Sequence, residues 1–188
     1  MIRPLSVAVM CLLAACAGSR EGATGPEPPP ELVRCFLLTT DDFSPGRAMD
    51  QRRPFREYLD WLIRSWGVDY GLGSRDVRLY ASYAPAPTRP GRDGPVAGEI
   101  VCHHPGAWEE IGRYRIVLYR ETLMNHDVSR LYNTIAHEFK HVLQDVAGEG
   151  AVNCGQIAKA SRLREYEKEA SRWADRVAPL TDCGTRNR

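Results

Sequence analysis

The chain has 188 residues, 43% of them apolar, with 25 Lys and Arg against 24 Asp and Glu. That length suits one globular domain with a single core plus short appendages. The neutral balance, with no basic cluster, argues against nucleic acid as the main partner.

Arg3 supplies a short basic start, and Leu5 to Ala15 form an apolar run too short to span a bilayer permanently. The run ends in Leu13-Ala14-Ala15-Cys16. This tetrad resembles a bacterial lipobox, and the resemblance implies that residues 1–16 are a lipoprotein signal and that Cys16 carries the lipid. Ala17 in the next position suggests, by the same resemblance, the outer membrane of a bacterial envelope, facing the periplasm or the cell surface. Residues 17–31 include Pro26, Pro28, Pro29 and Pro30 among Gly, Ser and Glu, a composition that cannot bury a core and predicts an extended tether. The ordered domain is then 32–188.

Of six cysteines, Cys11 leaves with the signal and Cys16 is the lipid site. Cys35, Cys102, Cys154 and Cys183 remain, and an exported location favours two disulfides. Cys154 with Cys183 is the preferred pair, because it staples the ends of the last helical region, and Cys35 with Cys102 follows. No C-x-x-C spacing occurs, so a cysteine zinc site has little support.

Within the domain, Val33 to Thr39 reads as a short strand. Asp50 to Trp66 reads as a helix, with Phe55, Leu59, Leu62, Ile63 and Trp66 at helical spacing and Gly67 just after it. Val77 to Ser82 reads as a strand. Residues 84–98 hold four prolines and three glycines and read as a surface loop or long hairpin connection. Ile100 to His103 and Tyr114 to Tyr119 are further strands, the second carrying the apolar run Ile116 to Tyr119. Two helices finish the chain, Val128 to Val146 and Gln156 to Val177. The order predicts an α+β fold, a small antiparallel or mixed sheet followed by a helical pair.

The first of those helices contains His137-Glu138-Phe139-Lys140-His141, a complete H-E-x-x-H. Histidines at i and i+4 stack on one helical face and can share a tetrahedral Zn²⁺, with the adjacent glutamate placed as general base. At about 100° per residue, Leu131, Ile135, Phe139, Val142, Leu143 and Val146 share one apolar arc. His137 and His141 lie outside it. That placement suits ligands, and it equally suits a solvated polar face, so the covering element decides. No histidine follows His141. A downstream ligand must therefore be a carboxylate or a cysteine. In the last helix, Leu163, Tyr166, Ala170, Trp173, Ala174 and Val177 form the apolar arc. Glu167 and Glu169 lie at its two edges and Glu165 points away, which leaves Glu167 and Glu169 as candidates.

The run Glu167-Lys168-Glu169-Ala170-Ser171-Arg172-Trp173-Ala174 resembles the second motif of gluzincin metallopeptidases, including the ImmA/IrrE and HtpX-type families. The resemblance covers about residues 114–175 and implies a zincin-like domain with Glu167 as third metal ligand, Ala170 at +3 and Ser171 at +4. The +4 residue in such proteins is acidic or an amide and hydrogen-bonds a ligand histidine; Ser171 departs from that pattern and would do so less strongly. The resemblance also implies an edge strand beside the active-site helix that pairs with extended peptide, and Arg115 to Arg120 holds that place. The expected activity is zinc-dependent hydrolysis of peptide or protein substrates, with Zn²⁺ on His137, His141 and Glu167 and with Glu138 as base. Tyr166, Tyr132, His103 and His104 are candidate oxyanion donors. A non-catalytic envelope lipoprotein on the same scaffold and a zinc amidase acting on other amides are the alternatives.

Overall fold

The computed structural model describes residues 53–82, 84–87, 97–103, 112–119, 122, 128–148, 152–153, 156–157 and 160–178. The signal and tether, Cys16, the strand expected at 33–39, and Cys35, His104, Cys154 and Cys183 lie outside them. Cys102 is disulfide-bonded.

The first helix, α1 (Arg53–Leu62), buries Phe55, Tyr58, Leu59, Trp61 and Leu62. The spacing predicts one helix to Trp66, but regular α-helix ends at Leu62. A π-helical turn, Ile63–Gly67, and a 3₁₀ turn, Val68–Tyr70, follow. Gly71, at φ 73°, stops the run in the left-handed conformation that costs glycine little. Trp66 in the wide turn stands edge-on to Trp61 and to Trp173, with ring centroids 5.0 and 5.1 Å away. These contacts offset the poorer hydrogen-bond geometry of the turn.

Strands β1 (Val77–Ser82), β2 (Gly98–Cys102) and β3 (Tyr114–Tyr119) form a mixed sheet in the order β1-β3-β2. β3 runs parallel to β1, with Val77 opposite Tyr114, and antiparallel to β2, with Gly98 opposite Leu118. The strand expected at an edge is therefore the central one. The reason lies in its side chains: Tyr114, Ile116 and Leu118 are fully buried, as suits a strand paired on both sides. On its other face Arg115 lies 4.4 Å over the Tyr80 ring. The edges among the described residues are β1 and β2.

Helix α2 (Val128–Val146) packs on β2 and β3 with one side and on the last helix with another. Between the two helices, β4 (Val152–Asn153) and β5 (Gln156–Ile157) pair antiparallel. The final helix, α3 (Ala160–Val177), thus starts four residues later than expected at Gln156. Val152 and Ile157 suit strand pairing, and two residues separate the strands, a common hairpin length. The whole is α+β, with one hydrophobic cluster drawn from α1, the sheet, α2 and α3.

Candidate metal centre

Helix α2 has two differently built sides. Leu131, Tyr132, Ile135, Phe139, Val142 and Leu143 are buried in the apolar cluster. His137, Lys140, His141 and Gln144, at i, i+3, i+4 and i+7, form a polar stripe on one helical face. Helix α3 covers this stripe. It docks through Ala170, Trp173, Ala174 and Val177, all buried, and Phe139 and Trp173 face each other with centroids 6.4 Å apart. Asn133 on α2 also donates to Asp175 on α3 at 3.0 Å.

That docking brings Glu167 over the histidines. His137 Nε2 and His141 Nε2 are 3.1 Å apart. Glu167 straddles them, with Oε2 3.4 Å from His137 Nε2 and Oε1 3.8 Å from His141 Nε2. A tetrahedral Zn²⁺ with bonds of about 2.0–2.1 Å holds its ligand atoms about 3.3–3.4 Å from one another. The two ring nitrogens, and the Glu167 oxygen nearest to each, lie within about 0.5 Å of that figure, with a different carboxylate oxygen facing each ring. Two imidazoles and a carboxylate converging on one point constitute a donor set that could hold a metal ion. Glu169, the other candidate, is turned elsewhere.

The outer nitrogens of both imidazoles have partners. Gln144 is fully buried, and its Oε1 lies 2.8 Å from His141 Nδ1. Gln144 Nε2 donates to Glu169 Oε2 at 2.8 Å and reaches the Tyr166 carbonyl at 3.5 Å. Glu169 Oε1 accepts from Lys140 Nζ at 2.8 Å. Burial pushes the Glu169 carboxyl up, but the hydrogen bonds from Lys140 and Gln144 and the Lys140 and His141 charges outweigh it, holding it below its ordinary value. His137 Nδ1 lies 3.4 Å from Ser171 Oγ, a contact longer than the amide on His141.

Glu138 lies against the start of β2. It is buried, and a Cβ at Gly98 would stand only 3.1 Å from its Cγ. The same Cβ would meet Val117 O at 3.1 Å and Thr134 Cγ2 at 3.2 Å, so glycine at the start of β2 lets the helix approach this closely. Of the candidate oxyanion donors, Tyr132 is removed. It is fully buried, packed edge-on to Tyr58 at 4.7 Å and beside Phe55 at 6.2 Å. Tyr166 is half-buried on α3 next to Glu167, and His103 follows the end of β2.

Sequence reasoning passed over Gln144 and Gly98. The i, i+3, i+4, i+7 stripe carried a signal for Gln144, since a side chain three residues after His141 must share its face. Gly98 carried none, because its role depends on strand pairing. Comparison with family models, curated proteins and solved structures gives no match for the chain.

Proposed function

We propose that this chain is a zinc-dependent metallopeptidase of gluzincin type, held at the bacterial envelope by a lipid on Cys16. The observation that carries the proposal is the convergence of His137, His141 and Glu167 from two helices, with Glu138 next to the first ligand on the motif helix. The sequence resemblance and the donor types, two imidazoles and one carboxylate, both support zinc over a hard cation, which takes more oxygen ligands.

When bound, Zn²⁺ supplies Lewis acidity and brings the pKa of water to about 7. His141, with Nδ1 turned to Gln144 Oε1, presents the Nε2 lone pair to the metal position. Glu167 completes the set from α3. Glu138 takes the proton from the attacking water and passes it to the leaving amine. Its Cγ lies close against Gly98, and that close approach limits the room the side chain has to swing. The edge strand closest to this base is β2, and an extended peptide laid along it would gain main-chain hydrogen bonds independent of its sequence.

The test is Glu138→Gln in the zinc-loaded protein, assayed on a mixture of peptides. We expect one zinc per chain to be kept and hydrolysis to fall by about 10²–10⁴-fold. A wild-type protein that holds no zinc after reconstitution defeats the proposal. Zinc binding with no hydrolysis in the wild type favours the alternative of a binding scaffold.

A further inference from the structure

We infer that Gln144 and Glu169 are positioning residues that fix the tautomer of His141, through a hydrogen-bonded chain running Lys140–Glu169–Gln144–His141. The inference rests on the proposed metal site, but its central claim concerns where a proton sits in the protein itself.

The direction of the chain follows from the groups that cannot reverse. The Lys140 ammonium only donates, and it lies 2.8 Å from Glu169 Oε1. An ionised Glu169 carboxylate only accepts, so the Gln144 group 2.8 Å from its Oε2 must be the NH₂. The backbone carbonyl of Tyr166, 3.5 Å from the same nitrogen, also only accepts. Both neighbours therefore orient the amide the same way, and its oxygen faces His141 Nδ1 at 2.8 Å. An amide oxygen there requires a proton on Nδ1 in the neutral imidazole. Nε2 is then left with its lone pair, directed towards His137 Nε2 and Glu167. Without the chain, a neutral imidazole would favour the opposite tautomer, with the proton on the nitrogen that has to bind the metal.

Glu169 also acts across helices. It stands on α3, two residues after Glu167, and its partners Lys140 and Gln144 stand on α2. The contact that orders the Gln144 amide is thus made by the docking that delivers the third ligand. Among the described residues, the partner at His137 Nδ1 is the 3.4 Å Ser171 hydroxyl, a group that can donate or accept, so its tautomer is not constrained in this way.

The test uses the full chain with ¹⁵N-labelled histidine, and zinc affinity measured by competition against a chelator. In the metal-free protein, at a pH where the imidazoles are neutral, we expect long-range ¹H–¹⁵N spectra to show His141 protonated on Nδ1. Gln144→Met fills the same space without an acceptor, and we expect zinc affinity to fall by about 10–100-fold. The exchange Gln144→Glu with Glu169→Gln restores an acceptor to His141 and a donor to position 144. We expect it to recover affinity to within a few-fold of wild type. His141 protonated on Nε2 in the wild type overturns the inference, as does a Gln144→Met protein that binds zinc like wild type, or an exchanged pair that recovers nothing. If wild type binds no zinc at all, the metal proposal fails, while the spectra still decide the tautomer.

Discussion

The two sides of helix α2 achieve burial by different physics. On its apolar side the helix presents Leu131, Ile135 and Val142, which are fully buried and need only shape and volume from their neighbours. Towards α3 it buries His141 and Gln144, for which burial is costly unless each polar atom finds a partner. The apolar side tolerates exchange of one hydrocarbon for another of like volume. The polar side works only as a set, since removing one member leaves its neighbour unpaired. Stability therefore resides mainly on one side and the candidate metal centre on the other.

Substitutions can separate the two. The largest effect is expected from Glu167→Ala, which removes the proposed third ligand and should cost more than about 100-fold in zinc affinity, beyond the loss typical of residues that merely orient ligands. Glu169→Ala, two residues on, should keep one zinc per chain at saturating metal. Metal analysis of the two proteins distinguishes the ligand from its neighbour. On the apolar side, Ile135→Ala should destabilise the protein by about 2–5 kcal/mol in denaturant unfolding, while the molecules still folded bind zinc normally. Gly98→Ala comes next. Its new methyl would press on Glu138, Val117 and Thr134, costing about 1–3 kcal/mol and lowering kcat without loss of zinc.

The smallest effect is expected from Tyr132→Phe. The Tyr132 and Tyr58 hydroxyls are buried with no hydrogen-bond partner among the described residues, so deleting one should change stability by less than about 1 kcal/mol at neutral pH. Alkaline pH sharpens the contrast. Burial, with the charge of Glu57, pushes Tyr132 up to about 12, and burial with Tyr132 nearby raises Tyr58 further. A raised phenol keeps its full stabilising contribution below its unfolded pKa of about 10 and loses it as pH climbs through the folded value. Thermal melts from pH 9 upward should therefore fall less steeply in Tyr132→Phe than in wild type.

The limits of the motif helix, Val128–Val146, were legible from its helical periodicity, and those of the strands Val77–Ser82 and Tyr114–Tyr119 from short runs of strand-forming residues, mixed in alternation in the first and continuously apolar in the second. The order of the strands was not. Which strand lies at an edge depends on contacts between residues distant in sequence, and Tyr114 to Tyr119 turned out central. The helical wheel of α3 could place Glu167 and Glu169 only at two edges of an arc. Choosing between them needs the rotation of α3 against α2, which the packing of Ala170, Trp173 and Ala174 sets. Gln144 escaped notice because a lone amide belongs to no motif; its importance comes from what its two ends touch.

The indole string across the helices has a practical consequence. Trp61 and Trp66 follow one another at the end of the first helical region, and Trp173 joins them from α3. Indoles packed edge-on at about 5 Å are held in fixed, chiral relation, so the docking of α3 is written into the near-ultraviolet circular dichroism and the emission of the native protein. Any event that lifts Glu167 off the histidines by undocking α3 must also part Trp173 from Trp66. The chain thus carries a built-in optical gauge of how its His137, His141 and Glu167 cluster assembles, readable without a label.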